Sequence, residues 1–141
     1  MKKNIIIVTV ILLAAAATKA QSSGDMLVGA GLDFLKSNNT GFGNQVQLGA
    51  EFNYFINGEF TATAGFENWT AGTTSLVIGG RFYIQNNIFA RIRGIIGDND
   101  ISIGGGYSHE INKHWRLEAM GDIYFEGDFA LRGGVAYLLG K

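Results

Sequence analysis

Gln45-Val46-Gln47-Leu48-Gly49-Ala50-Glu51-Phe52-Asn53-Tyr54-Phe55-Ile56 is the stretch whose reading decides the fold. Successive side chains leave opposite faces of a β-strand. Val46, Leu48, Ala50, Phe52, Tyr54 and Ile56 therefore share one face, and Gln45, Gln47, Gly49, Glu51 and Asn53 share the other. Asn57-Gly58 follows at once, and that pair between alternating segments is the strongest short-range hairpin signal. Beyond it Phe60, Ala62, Ala64 and Phe66 oppose Glu59, Thr61, Thr63, Gly65 and Glu67. Leu76, Ile78, Phe82 and Ile84 oppose Ser75, Gly79, Arg81 and Tyr83 in the next segment.

Extended outward, this period-two pattern predicts eight strands, at about 26–36, 44–56, 59–68, 73–84, 88–97, 100–111, 115–125 and 128–139. Short polar separators lie between them, from Ser37–Gly43 to Glu126-Gly127. Connections this short require antiparallel neighbours and an up-and-down order. Composition agrees: the 141 residues include no proline, the residue a continuous ladder tolerates least, and 21 glycines. The absence of cysteine removes any disulfide framework or thiolate-ligated metal.

Residues 1–20 are set apart from the fold. Lys2 and Lys3 precede an apolar run from Ile5 to Ala17 and a small-residue exit at Thr18-Lys19-Ala20, the pattern of a secretory signal peptide cleaved after Ala20. The run is too short for a membrane-spanning helix, which takes about 20 apolar residues. Residues 21–141 then form one domain. Of the 11 basic residues in the chain, Lys2, Lys3 and Lys19 fall in that leader, leaving 8 against 12 acidic ones, and no basic patch for nucleic acid.

Which face lies inside decides the class of function. The apolar face carries no Asp, Glu, Lys or Arg. The polar face carries Asp33, Glu51, Glu67, Glu118 and Asp122 together with Arg81, Arg91, Arg93, Arg116 and Arg132. A soluble barrel would have to pack Phe52, Tyr54, Phe60, Phe66, Phe82, Tyr107, Trp115, Phe129 and Tyr137, among others, into an interior only wide enough for a limited set of side chains. Its surface would display glycines and only Lys36, Lys113 and Lys141 as lysines, a poor design for solubility. Turned inside out, the apolar face meets lipid, closure satisfies every backbone group without water, and strands of this length span the hydrocarbon.

The C-terminal strand, Arg132-Gly133-Gly134-Val135-Ala136-Tyr137-Leu138-Leu139, resembles the signal by which the barrel assembly machinery recognises its clients, with Arg132, Gly134, Tyr137 and Leu139 at the marked positions. The chain as a whole resembles the OmpA/OmpX-type small outer-membrane β-barrels. It departs from them in ending Gly140-Lys141, where the family often ends on an aromatic residue. The resemblance implies an all-β, eight-stranded antiparallel transmembrane barrel in the cell outer membrane, monomeric, partnered by lipid and lipopolysaccharide. It also implies that both termini face the periplasm.

Inside, strand directions predict that Glu51, Arg81, Arg91, Arg93 and Glu118 lie within reach of one another as a buried charge network, with Glu118 meeting Arg91 or Arg93. A plugged structural barrel is favoured over a narrow conduit, because balanced charge offers an ion no single-sign path. Ser37–Gly43 is the one loop long enough to present a surface, with Phe42 and Trp69 as a possible adhesive contact or as interfacial anchors. Ser108-His109-Glu110 names three triad residue types, yet neighbours on a strand point oppositely, so a lipid-A-modifying enzyme is a remote alternative. His109 and His114 lack a third ligand, and neither a metal nor a cofactor is expected.

The face assignment makes a direct prediction. Ala50→Arg or Ile78→Arg should block membrane assembly, at a cost of about 2–4 kcal/mol near the midplane, while Gln47→Glu should be tolerated. The fraction of protein recovered in washed membranes reads both.

Overall fold

The computed structural model describes residues 22–36, 47–69, 74–97 and 99–140. The expected leader and the whole of the first loop, residues 37–43 with Phe42, lie outside the described residues. Eight strands run in chain order: β1 Met26–Lys36, β2 Gln47–Phe55, β3 Phe60–Trp69, β4 Thr74–Gln85, β5 Ile88–Ile96, β6 Asp100–Glu110, β7 Trp115–Tyr124 and β8 Phe129–Leu139. Each pairs antiparallel with its neighbour, and β8 returns to β1 to close the barrel. Closure runs from Met26↔Leu139 to Lys36↔Ala130, with a bulge between Asp33 and Leu35.

The described ends of the chain and the turns at 56–59, 86–87 and 111–114 lie at one end of the barrel, called here the terminal end; Gly97, Asn99 and the turn at 125–128 lie at the opposite end. Two turns at the terminal end share a device. Asn57 Oδ1 accepts from the amides of Glu59 and Phe60 at 2.9 and 2.8 Å, while Ile56 N donates to Phe60 O. Asn112 Oδ1 accepts from His114 and Trp115, both at 2.9 Å, and Ile111 N donates to Trp115 O. The Asn57-Gly58 hairpin therefore forms, but by an asparagine side chain that mimics a backbone turn, rather than by left-handed residues at the tip. Left-handed backbone occurs instead at Gly24, Gly97, Asn99 and Gly127.

The wall is polar inside and apolar outside. Leu48, Phe66, Ile78, Ile92, Ile103 and Leu117 leave about half their surface uncovered, whereas all ten charged residues assigned to the inner face are buried. Among residues with described side chains, the outward positions of the strands hold no Asp, Glu, Lys or Arg. Glycine on the inner face lets strands approach closely. A Cβ on Gly134 would stand 2.6 Å from Ala30 O at the closing seam, and one on Gly104 would overlap Gly121 O and the Asp122 carboxylate.

Gly134→Val should therefore prevent closure while Val135→Ala, on the outer face of the same strand, should not. The comparison is the fraction of protein that migrates as a compact, heat-shifted band on an unboiled gel. Equal fractions would mean that the seam tolerates a side chain.

Candidate functional site: the ionic lumen

Charged side chains enter the lumen from seven of the eight strands and meet near mid-height. Glu51 on β2 is the hub. Its Oε2 accepts from Arg81 Nη2 at 2.8 Å, and its Oε1 lies 3.3 Å from Arg91 Nη1, 3.2 Å from Arg93 Nε and 3.2 Å from Arg132 Nη1. Arg81 Nη1 donates to both oxygens of Glu118, at 2.8 and 3.1 Å. Arg91 grips Asp122 with Nε, at 2.8 Å, and with Nη2. Arg93 pairs with Glu67 and reaches Asp122 at 3.5 Å.

Arg132 holds Asp33 in a two-pronged contact, Nε to Oδ1 at 2.5 Å and Nη2 to Oδ2 at 3.1 Å, and its Nη2 also donates to Glu67 at 2.7 Å. Bidentate geometry is what a planar guanidinium supplies and a lysine cannot. Arg116 stands apart toward the terminal end, where it pairs with the half-exposed Glu110 at 2.7 Å.

The structure brings Glu51, Arg81, Arg91, Arg93 and Glu118 into one connected network, with two differences from the pairing read from sequence. Glu118 meets Arg81 rather than Arg91 or Arg93, because those two are taken by Asp122, Glu67 and Glu51. Arg132, read from sequence as an inward charge and as part of an assembly signal but not among the five expected to meet, is itself a member. Strand direction gives only a residue's height, whereas the length of an arginine lets partners at different heights share one carboxylate.

Gln47 also corrects an expectation. Its amide donates to the Glu67 carboxylate and its carbonyl accepts from Arg132. Gln47→Glu would set two buried carboxylates together, so tolerance does not follow.

Buried apolar side chains flank the charges on both sides. Leu27, Phe55, Tyr83, Phe89 and Leu138 fill the terminal end, with Tyr83 between Phe55 and Phe89 at centroid distances of 5.4 and 5.3 Å. The Arg81 guanidinium caps this layer, 4.6 Å above the Phe89 ring. Ile95, Tyr124 and Ala130 form a second buried cluster toward the opposite end. The void beside Glu51, Arg81, Glu118 and Arg132 measures about 10 Å³, at most the space of one water.

Sequence reasoning placed Tyr83 on the inner face but not the layers it belongs to. Their signal was the doublets Tyr54-Phe55, Phe82-Tyr83 and Ile88-Phe89, since of two consecutive apolar residues on a strand one must point inward.

The remaining singled-out residues are dispersed. Gly134 sits at the seam, Leu139 pairs with Met26, and Tyr137 faces outward beside Trp115. Trp69 ends β3 opposite Gln47. Ser108 is buried on the inner face and His109 is exposed on the outer, so the two do not share a site. No cluster of three or more metal-binding side chains occurs among the described residues.

No protein-family profile matches the chain, and no curated protein matches it in sequence. Solved structures do match in fold. A designed transmembrane β-barrel is similar with a TM-score of 0.65 at 14% identity, over 86% of this chain and 98% of that one. A second, from work on the design of transmembrane β-barrels, gives 0.64 at 15% identity, over 84% and 98%. The attachment invasion locus protein Ail of Yersinia pestis gives 0.52 at 10% identity, over 83% and 99%. At these identities the likeness is one of fold alone.

A double-mutant cycle tests the observed pairing. Arg81→Gln and Glu118→Gln should each cost about 3–5 kcal/mol, the cost of stranding a buried charge, and the pair should couple by about 0.5–3 kcal/mol. The Glu118 and Arg93 pair should couple far less. Denaturant unfolding in detergent micelles measures both, and the reverse order would refute the assigned partners.

Proposed function

We propose that the chain is an integral outer-membrane β-barrel with a mainly structural, envelope-stabilising role, and that its lumen is a solid strut rather than a conduit. The observation that carries this reading is the charge-free apolar belt around an ion-paired core flanked on both sides by buried apolar side chains. A soluble monomer seldom exposes a contiguous apolar patch beyond a few hundred Å², whereas here large apolar side chains are half uncovered on every strand with described outward positions. The same belt in hydrocarbon has no charge to desolvate. The expected leader and the resemblance of β8 to an assembly signal support export and insertion by the barrel assembly machinery. Lipid and lipopolysaccharide are then its surroundings, and a monomer suffices.

A surface-binding role through residues 37–43 is the second reading. It draws on the length of that loop and on a fold shared with a protein whose name denotes attachment. A lipid-modifying activity draws on Ser108-His109-Glu110, whose first two members face opposite sides of the wall.

Three measurements on the purified, detergent-extracted protein separate these readings. The structural reading expects a heat-shifted gel band, no unitary conductance steps in planar bilayers, and unchanged assembly when residues 37–43 are deleted. Regular conductance steps would refute the strut. Loss of host-surface or ligand binding on loop deletion would establish the second role.

A further inference from the structure

Outward side chains of β6, β7 and β8 near the terminal end are not uniformly apolar. Trp115 packs edge-on against Tyr137, with centroids 5.0 Å apart and planes at 77°. His114 stacks on the same tyrosine at 5.4 Å and 14°. Its Nδ1 lies 3.1 Å from Leu138 O; a carbonyl only accepts, so Nδ1 carries the proton and Nε2 is the remaining ring nitrogen. One strand away His109 stacks on Tyr107 at 6.4 Å and 21°. Lys113 is exposed between them in the β6–β7 turn, and it is the one Lys or Arg among the described turn residues at this end. Glu110, the acid at that turn, is held by Arg116. The turn between β7 and β8 at the opposite end carries Glu126 and Asp128.

Leu117 and Val135 follow on the same faces as Trp115 and Tyr137, two residues or about 6.6 Å farther up the wall. There they border a groove of about 410 Å³ with Ala30, Leu32, Leu48 and Gly133. The registers Leu117↔Val135, Val135↔Ala30 and Leu32↔Leu48 carry it obliquely over β7, β8, β1 and β2. Its volume falls within the roughly 300–1,000 Å³ of small-molecule clefts, and its lining offers no polar side chain. It suits a hydrocarbon chain. Below it stand the exposed Lys113 and the Trp115–Tyr137 pair, a cation for an anionic headgroup and aromatics of the kind that sit at headgroup depth.

We propose that this face binds one anionic glycerophospholipid, with its phosphate at Lys113 and an acyl chain along the groove. The proposal rests on the membrane reading above. Charge complementarity selects the occupant, because a second copy docked at the same depth would bring Lys113 toward Lys113.

Trp69→Phe leaves Trp115 as the sole tryptophan of the two in the chain. In phosphatidylcholine vesicles, its fluorescence is titrated with phosphatidylglycerol or phosphatidylcholine brominated on the acyl chain. Half-maximal quenching should come at about fivefold lower mole fraction of the brominated phosphatidylglycerol, the factor one lysine near an anionic headgroup supplies. Lys113→Gln, in an exposed turn, should remove that preference, and Ala30→Leu, which fills the groove floor, should weaken it. Equal quenching by the two lipids, a preference that survives Lys113→Gln, or a cross-linked dimer through Trp115 would overturn the lipid site and leave the membrane reading standing. No quenching by either lipid would overturn both.

Discussion

Glu51 shared among four guanidinium groups is the interaction on which the rest of the barrel depends. An ion taken out of water carries a penalty of several kcal/mol, which its partners must offset with good geometry. Five arginines and five carboxylates inside so narrow a wall can meet that condition only if the strands that bear them are held in one register. β6 is the exception that fits. It contributes no charged side chain to the shared network, and its glycines at 104–106 leave room for Asp122 and Met120, which lie beside them from β7.

Apolar layers at the two ends give the charge layer its setting. Phe55, Tyr83 and Phe89 below and Ile95 and Tyr124 above exclude water from the ion pairs, and a hydrogen bond is electrostatically stronger in that lower dielectric. The same exclusion makes the network unforgiving, since any unpaired member stays unsolvated. The lumen thus resembles a soluble protein turned inside out only in its middle third. At its ends it has the apolar packing of an ordinary core.

Much of this could be read from residue order. Strand positions and faces followed from strict alternation in Gln45–Ile56 and its neighbours, because a one-residue slip would have placed Glu51 or Arg81 on the apolar outer face. Partners inside the lumen were less legible. Glu118 could be assigned a height from its strand but not a choice among Arg81, Arg91 and Arg93, which depends on how side chains fan across the barrel. The plugs were hidden for another reason: Phe55, Tyr83 and Phe89 sit on the inner face of strands whose outer face is also apolar, so alternation fades where they occur. Turn chemistry was ambiguous too, as Asn57-Gly58 suits both a left-handed tip and the asparagine-closed loop that forms.

Closure of β8 on β1 bears on how the barrel comes into being. Every other strand pairing joins segments adjacent in sequence, while Met26 must find Leu139 at the far end of the described chain. Chain entropy lost in closing such a span is recovered only when the seam zips, so a pairing of this kind is slow relative to the local hairpins. Until then the meander is an open sheet with two bare edges and its arginines and carboxylates still hydrated. Joining the seam and drying the charges are therefore one event, and the rate of assembly should be governed by the moment at which Arg132 on the last strand meets Asp33 on the first.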